Sequence, residues 1–516
     1  MQENQINSNP KPSITRRFSF NLLSTLIGIA VRLTTNSLLP KALGPNSYGN
    51  YGYLISIYES IVYFFRTGIY QAYFNYNSKN ENSYYINRWF ITYAILVSCL
   101  LFTFTILSVT FMKDTFWNGI KVLDIYIVLL LIIAIEIQSE INNYGHSKSL
   151  TIPIQNIKIY FLIVQVLVVS TLFYLSKLNI YSFSITLISS HITFSLFAIR
   201  IFRKQKVIGI LPEKLMDNPY SDLSKEIYSF SYPLITLALV TSSAMFFDRW
   251  FLQNTFGAVD QGFFHFADRL SVSILIFNGA IIPIMQKEFV GLSQDLIKLK
   301  KKYEKFLLIF FFISNFLIFC ILFNINILID VLLNEQYKSA YYVILIVVIG
   351  TVFRSLGQFQ SILLISINKT KIIRDVGLWM LFLGFIFTFI LLVPKEKSFG
   401  MGFGLGAMGL AIKFLLLEIL SATIMYLYIN KHLKFTRYLF FKLFRISTFL
   451  FFLMYIVKSC IQTIFYSLGI NGDLFLGLVN IITFSILVST FIIKFPILVG
   501  FDKLDLSSFY KNYIKK

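Results

Sequence analysis

Leu39-Pro-Lys-Ala-Leu-Gly44-Pro-Asn-Ser-Tyr-Gly49-Asn-Tyr-Gly-Tyr53 closes one long apolar run and opens the next. The pattern returns as Leu252-Gln-Asn-Thr-Phe-Gly257-Ala-Val-Asp-Gln-Gly262-Phe-Phe-His-Phe266, again between two apolar runs. Both read Leu-x3-(Leu/Phe)-Gly-x4-Gly-x-(Tyr/Phe)-x-(Tyr/Phe). Glycine suits a tight hairpin that needs positive φ or close backbone approach. Six apolar runs separate the copies, so the repeat predicts two halves of like orientation, a parallel duplication with a substrate site between them.

Outward from these hairpins, the composition excludes an ordinary soluble protein. Of 516 residues, 56% are hydrophobic and only 14% charged, against about 25% charged in globular chains. Mean hydropathy is +0.70. A bilayer core about 30 Å thick takes roughly 20 apolar residues in a helix. That ruler gives fourteen spans: 18–39, 48–70, 89–112, 122–142, 153–175, 180–201, 227–252, 262–286, 303–332, 340–367, 372–393, 402–429, 438–468 and 473–497. Such runs are too long and evenly apolar for barrel strands. The expected fold is all-α and polytopic: about 14 transmembrane helices as two pseudo-symmetric six-helix bundles plus two C-terminal helices. The predicted divisions are 1–201, a cytoplasmic linker 202–226 holding Pro212 and Pro219, 227–430, and 431–516 with two extra spans and a basic tail.

The formal net charge of +21 would suggest nucleic acid in a soluble protein. Its placement argues otherwise. With a cytoplasmic N-terminus and alternating spans, the basic clusters Lys11/Arg16/Arg17, Arg200/Arg203/Lys204/Lys206, Lys298/Lys300/Lys301/Lys302 and Lys431/Lys434/Arg437 all fall on one side. The other side holds isolated lysines: Lys41, Lys113, Lys121, Lys177, Lys338, Lys395 and Lys397. This is a positive-inside pattern, with both termini cytoplasmic and no nucleic-acid partner expected. The first run lacks a small-residue cleavage site and reads as a retained span. Cys99, Cys320 and Cys460 lie in apolar runs and read as buried hydrophobes, with no disulfide or metal spacing.

Charges inside spans are costly unless they face a partner or water, so their helical faces are informative. Asn21, Thr25, Gly28, Arg32 and Thr35 form one stripe; Gly52, Ser56, Glu59, Tyr63, Arg66 and Tyr70 another; Thr351, Arg354, Gln358 and Ser361 a third; Gly402, Gly406, Gly409 and Lys413 a fourth. The substrate-binding candidates are Arg32, Arg66, Arg249, Arg269, Arg354 and Lys413, lining a cationic cavity. Glu59, Asp268 and Glu136 are candidates for ion coupling, with Arg66 two turns from Glu59 as its partner. Gly402 and Gly406 also fit helix packing. Asp248–Arg249 and Asp268–Arg269 fit rim salt bridges as well as a cavity, Glu140 and Lys494 fit snorkelling, and His191 and His265 fit hydrogen-bonded structural roles. A guanidinium-rich interior favours a phosphate or pyrophosphate group over a cation or a neutral sugar. No Walker sequence, nucleophile elbow or His/Glu metal helix occurs, so neither an enzyme, a metal nor a cofactor is expected.

The 39–49 hairpin resembles the LG-x-x-x-YG hairpin of bacterial polysaccharide flippases. Phe247-Asp-Arg-Trp-Phe-Leu with Gly257-x4-Gly262-x-Phe is similar to their second-half counterpart, and Gly404-x-Gly-Ala-x-Gly-Leu-Ala411 to a Gly-rich helix opening. The family is the O-antigen (Wzx-type) flippases of the multidrug/oligosaccharidyl-lipid/polysaccharide exporter superfamily. The resemblance implies a V-shaped, MATE-like fold in the bacterial cytoplasmic (inner) membrane. It also implies transfer of an undecaprenyl-diphosphate-linked oligosaccharide to the outer leaflet for surface polysaccharide such as O-antigen, lipopolysaccharide or capsule, with a polymerase and glycosyltransferases as partners. Many such chains have twelve spans; the extra two, 438–497, fit a groove for the lipid tail. The alternatives are a cation-coupled multidrug exporter of the same fold, which would rely on Glu59 and Glu136, and a polysaccharide polymerase or ligase, for which the chain lacks a sizeable outer loop.

Overall fold

The computed structural model describes residues 14–70, 72–73, 77, 84–148, 150–205, 219–367, 369–397, 402–433, 437–467 and 473–495. Its long elements are all helices: α1 (Ile14–Arg66), α2 (Tyr84–Phe111), α3 (Val122–Ser147), α4 (Thr151–Tyr174), α5 (Ile180–Lys204), α6 (Pro219–Phe256), α7 (Ala258–Gly291), α8 (Leu296–Leu322), α9 (Tyr341–Ser366), α10 (Thr370–Leu392), α11 (Gly406–Leu433), α12 (Arg437–Ser467) and α13 (Asp473–Lys494). Because α1 bends at Gly44, it supplies two arms, and among the described residues the fourteen expected spans lie mainly on helix. Ten helices, those other than α1, α6 and α7, are long and apolar enough to cross a membrane among the described residues. The chain is a multi-pass, all-α membrane protein. Ile95, Ile106, Trp379 and Phe382 point outward with half or more of their surface exposed. In a bilayer such residues meet lipid, which is as apolar as they are.

Contacts divide the chain into two units: 14–42 with 54–246, and 43–53 with 247–495. The first has a core of Phe90, Tyr144, Phe194 and Phe202, with Tyr73 stacked on Phe90 at 3.9 Å between centroids. Trp117 is fully buried and donates from Nε1 to Ser108 Oγ at 2.9 Å, so its one polar atom is satisfied. The second core centres on Phe289, Tyr303, Phe310 and Phe359. Helices α12 and α13 pack against α8: Ser447 Oγ donates to Asn315 Oδ1 at 3.2 Å, and Phe316 stacks on Phe484 at 5.2 Å. Linker residues 206–218 and the tail from 496 lie outside the described residues.

The repeated hairpins share backbone conformation. Gly44 has φ +70° and Gly257 φ +85°, a region that costs other L-residues about 1–2 kcal/mol. Within the second unit the two copies pack on each other reciprocally. A Cβ at Gly49 would overlap the Ala258 carbonyl, and one at Gly262 the Pro45 carbonyl. Each of these glycines rests on the residue that follows the other hairpin's positive-φ glycine. Only hydrogen fits between such close backbones.

Three sequence expectations change. The span at 303–332 breaks after Leu322 into a short helix, Ile325–Leu332, where Asn324 turns its Nδ2 back onto the Cys320 carbonyl at 2.8 Å. The Gly402–Gly406 ridge is absent, because Gly404 and Gly406 take φ of +60° and +55° and α11 begins only at Gly406. Cys99 and Cys460 are exposed and Cys320 alone is buried, because an apolar run in a membrane helix serves a lipid face as well as a core.

Candidate functional site

Each unit gathers its own charged cluster. In the second, Arg249 on α6 is 9% exposed, with Nη2 donating to Asp268 Oδ2 of α7 at 2.9 Å and the guanidinium 4.4 Å above the Phe264 ring. Arg354 on α9 lies 3.8 Å from the other oxygen of Asp268 and 3.7 Å from Glu418 on α11, with Phe414 below it at 5.5 Å. Two guanidiniums therefore share one carboxylate, and aromatic faces hold both in place. Arg269 adds a third cation, and its charge acts on Tyr48 and His265. On either side of Arg354 along α9, Asn278 of α7 donates to Gln358 Oε1 at 3.0 Å, and Thr351 donates to Ser271 at 2.7 Å.

Lys413 has a different environment. It is 5% exposed, and its ammonium lies 2.6 Å from both oxygens of Asp248 and from Thr388 Oγ1. Three acceptors for three N–H protons leave none for a ligand in this conformation. Nor do Asp248–Arg249 and Asp268–Arg269 pair as sequence neighbours. Adjacent helix positions point about 100° apart, so Asp248 meets Lys413 while Arg249 meets Asp268.

In the first unit, Arg66 bonds across to α3: Nη1 is 3.4 Å from Glu136 Oε1, and Nη2 donates to Ser139 Oγ at 2.7 Å. The Tyr70 hydroxyl lies 3.1 Å from Glu136 Oε2 and 2.7 Å from Glu140 Oε1. Glu140 is thus part of the cluster rather than a snorkelling side chain. Glu59 stands close enough for its charge to act on Glu136. Arg32 is exposed, and its charge acts on Lys158 of α4 and His191 of α5. His191 bonds Gln138, as expected of a structural histidine. His265 is 2% exposed and packs edge-on to Tyr48 at 5.3 Å, but its Nδ1 has no hydrogen-bond partner among the described residues. It is held by packing.

The structure thus brings Arg249, Arg269, Arg354 and Asp268 together in one unit, and Glu59, Arg66 and Glu136 in the other. Sequence reasoning missed Glu418 and Glu140 as members. Glu418 lies one turn after Phe414, on the same face of α11, but across helices nothing in the sequence pairs either with Arg354.

A family model described as "Polysaccharide biosynthesis protein" matches residues 14–288, more than half of the chain. The protein belongs to that family. Among solved structures, the lipid II flippase MurJ in an inward closed conformation superposes with TM-score 0.64 at 14% identity, covering 92% of this chain and 98% of that one. A MOP superfamily transporter from Pyrococcus furiosus gives 0.56 at 14% identity, covering 83% and 98%. An outward-facing multidrug resistance MATE family transporter of the same superfamily gives 0.55 at 13%, covering 82% and 97%. No curated protein matches the sequence significantly. The family member therefore shares the all-helical fold of these solved structures, the architecture that the hairpin motifs led one to expect.

Proposed function

We propose that this family member is a flippase carrying a lipid diphosphate-linked oligosaccharide from the cytoplasmic to the outer leaflet of the bacterial inner membrane, for surface polysaccharide such as O-antigen or capsule. The observation that carries the reading is the Arg249–Asp268–Arg354–Glu418 cluster. At rest its charges nearly balance, which makes guanidiniums tolerable at membrane depth. A diphosphate offers pairs of oxygens that accept bidentate guanidinium hydrogen bonds as a carboxylate does, with more negative charge. It displaces Asp268 and Glu418 from the arginines as it binds, and Arg269 adds to the attraction. Outward movement of an anion across an inside-negative membrane gains about 2.3 kcal/mol per charge per 100 mV. The family description and the MurJ likeness support a lipid-linked cargo. The positive-inside pattern supports cytoplasmic termini, and α12 with α13 would offer the lipid tail its groove. A polymerase and glycosyltransferases would act on the same product.

The test replaces Arg249 or Arg354 by Ala in cells that depend on surface polysaccharide. Polymer should fall at least tenfold at unchanged protein level; undiminished polymer would refute the phosphate-binding role. The acidic cluster of Glu59, Glu136 and Glu140 favours a second reading, a cation-coupled drug exporter. Dye efflux that requires Glu136, without a polymer defect in the arginine variants, would establish that reading instead.

A further inference from the structure

A cavity of about 570 Å³ runs along the first unit between α2 and α3, with the second arm of α1 as its floor. Most of its lining is apolar, including Phe65, Ala94, Phe102 and Ile137. Ile91, Ile95 and Ile137 on its walls are also exposed on the outside of the helices, so the groove opens sideways to where lipid would be. Arg66, Tyr70, Glu136 and Glu140 stand together in its lining, and Arg203 lines it beside Phe202 and Tyr144. The α2 wall extends from Asn87 to Phe102, which at 1.5 Å per residue is about 22 Å. One leaflet with its headgroups is about 20–22 Å deep. The groove therefore has the length of one leaflet, one polar cluster and an otherwise largely apolar lining.

The polar cluster is short of hydrogen-bond donors. Tyr70 has one phenolic proton and faces two carboxylates, at 3.1 and 2.7 Å. Arg66 reaches only Glu136 of the two, and at 3.4 Å. Glu140 keeps a second oxygen with no hydrogen bond among the described residues. A ligand ammonium would supply the missing N–H groups. Arg66, whose side chain is 40% exposed, and Arg203 would meet an anion beside it.

We infer that this groove binds a zwitterionic membrane phospholipid bearing a primary ammonium, of the phosphatidylethanolamine class, with its ammonium on Glu136 and Glu140, its phosphate at Arg66 and Arg203, and an acyl chain between α2 and α3. The inference is independent of the cargo. A quaternary choline carries the same charge but cannot donate a hydrogen bond, and phosphatidylglycerol has no cation at all. The site should therefore discriminate among the three headgroups.

The experiment uses the full chain purified in detergent, with dioleoyl phosphatidylethanolamine, phosphatidylcholine or phosphatidylglycerol added, read by native mass spectrometry and thermal melting. Phosphatidylethanolamine should be retained about tenfold more tightly than the other two, the discrimination expected of a charge-assisted hydrogen bond. Glu140→Gln supplies amide donors of its own, so it should fold normally and lose that preference. Ala94→Trp fills the groove and should abolish retention of all three while the lipid-free melting point is kept. Equal retention of phosphatidylcholine or phosphatidylglycerol would overturn the proposal. So would a preference unaltered in Glu140→Gln, or tighter retention of a prenyl phosphate, which would make the groove a seat for an anionic lipid.

Discussion

Lys413 is the clearest place to separate a structural cation from a ligand-binding one. Replacing it by Met keeps its approximate volume but leaves the Asp248 carboxylate, whose side chain is 18% exposed, without its partner. Each of three contacts at 2.6 Å is charge-assisted or made by a charged donor. Breaking such a buried pair from one side costs about 3–5 kcal/mol, because the remaining charge is stranded in a low dielectric. Removing both charges, as Lys413→Met with Asp248→Leu, strands nothing and should return stability to within about 1 kcal/mol of the parent or above it. Thermal melting in detergent, followed by size-exclusion fluorescence, should show a loss of several degrees in the single variant and its recovery in the double. The same double variant should still support polymer export in cells. The reasoning is refuted if Lys413→Met melts with the parent, or if the two substitutions simply add.

Other expectations follow from single contacts. Gly262→Ala forces a methyl against the Pro45 carbonyl and Gly49→Ala one against Ala258, so each should lose about 1–3 kcal/mol in the same melting assay. Unchanged melting in both would show that the hairpins are not in contact. Asp260 Oδ2 accepts the Ala407 N–H at 2.8 Å, satisfying an orphan donor at the start of α11. Asp260→Ala should cost about 0.5–2 kcal/mol and Asp260→Asn less. Asp295 caps α8, and the Lys298 N–H at 3.0 Å, with that residue's side chain, holds its carboxyl below the usual carboxylate range. That support is present above the usual carboxylate range and is lost as pH falls through the lowered value, so the hydrogen-exchange protection factors at the first turn of α8, corrected for the intrinsic rate at each pH, should fall on acidification. Asp295→Ala should remove the pH dependence.

The sequence by itself determined the class of fold, because hydrocarbon admits no unsatisfied backbone and long apolar runs have no choice but helix. It located the hairpins too: Gly44 and Gly257 take left-handed backbone that other residues avoid, so their spacing survives in the sequence. The stripes carrying Arg66 and Arg354 were readable for the same reason, since the helical period is local. Pairing between helices was not readable. Asp248 and Arg249 look like one feature in sequence, yet they serve Lys413 and Asp268, because a step of about 100° separates neighbours on a helix. Glu418 beside Arg354, Glu140 beside Tyr70 and the donor-poor cluster in the α2–α3 groove depend on which helices lie side by side, and that is set by packing over distances the local pattern does not encode.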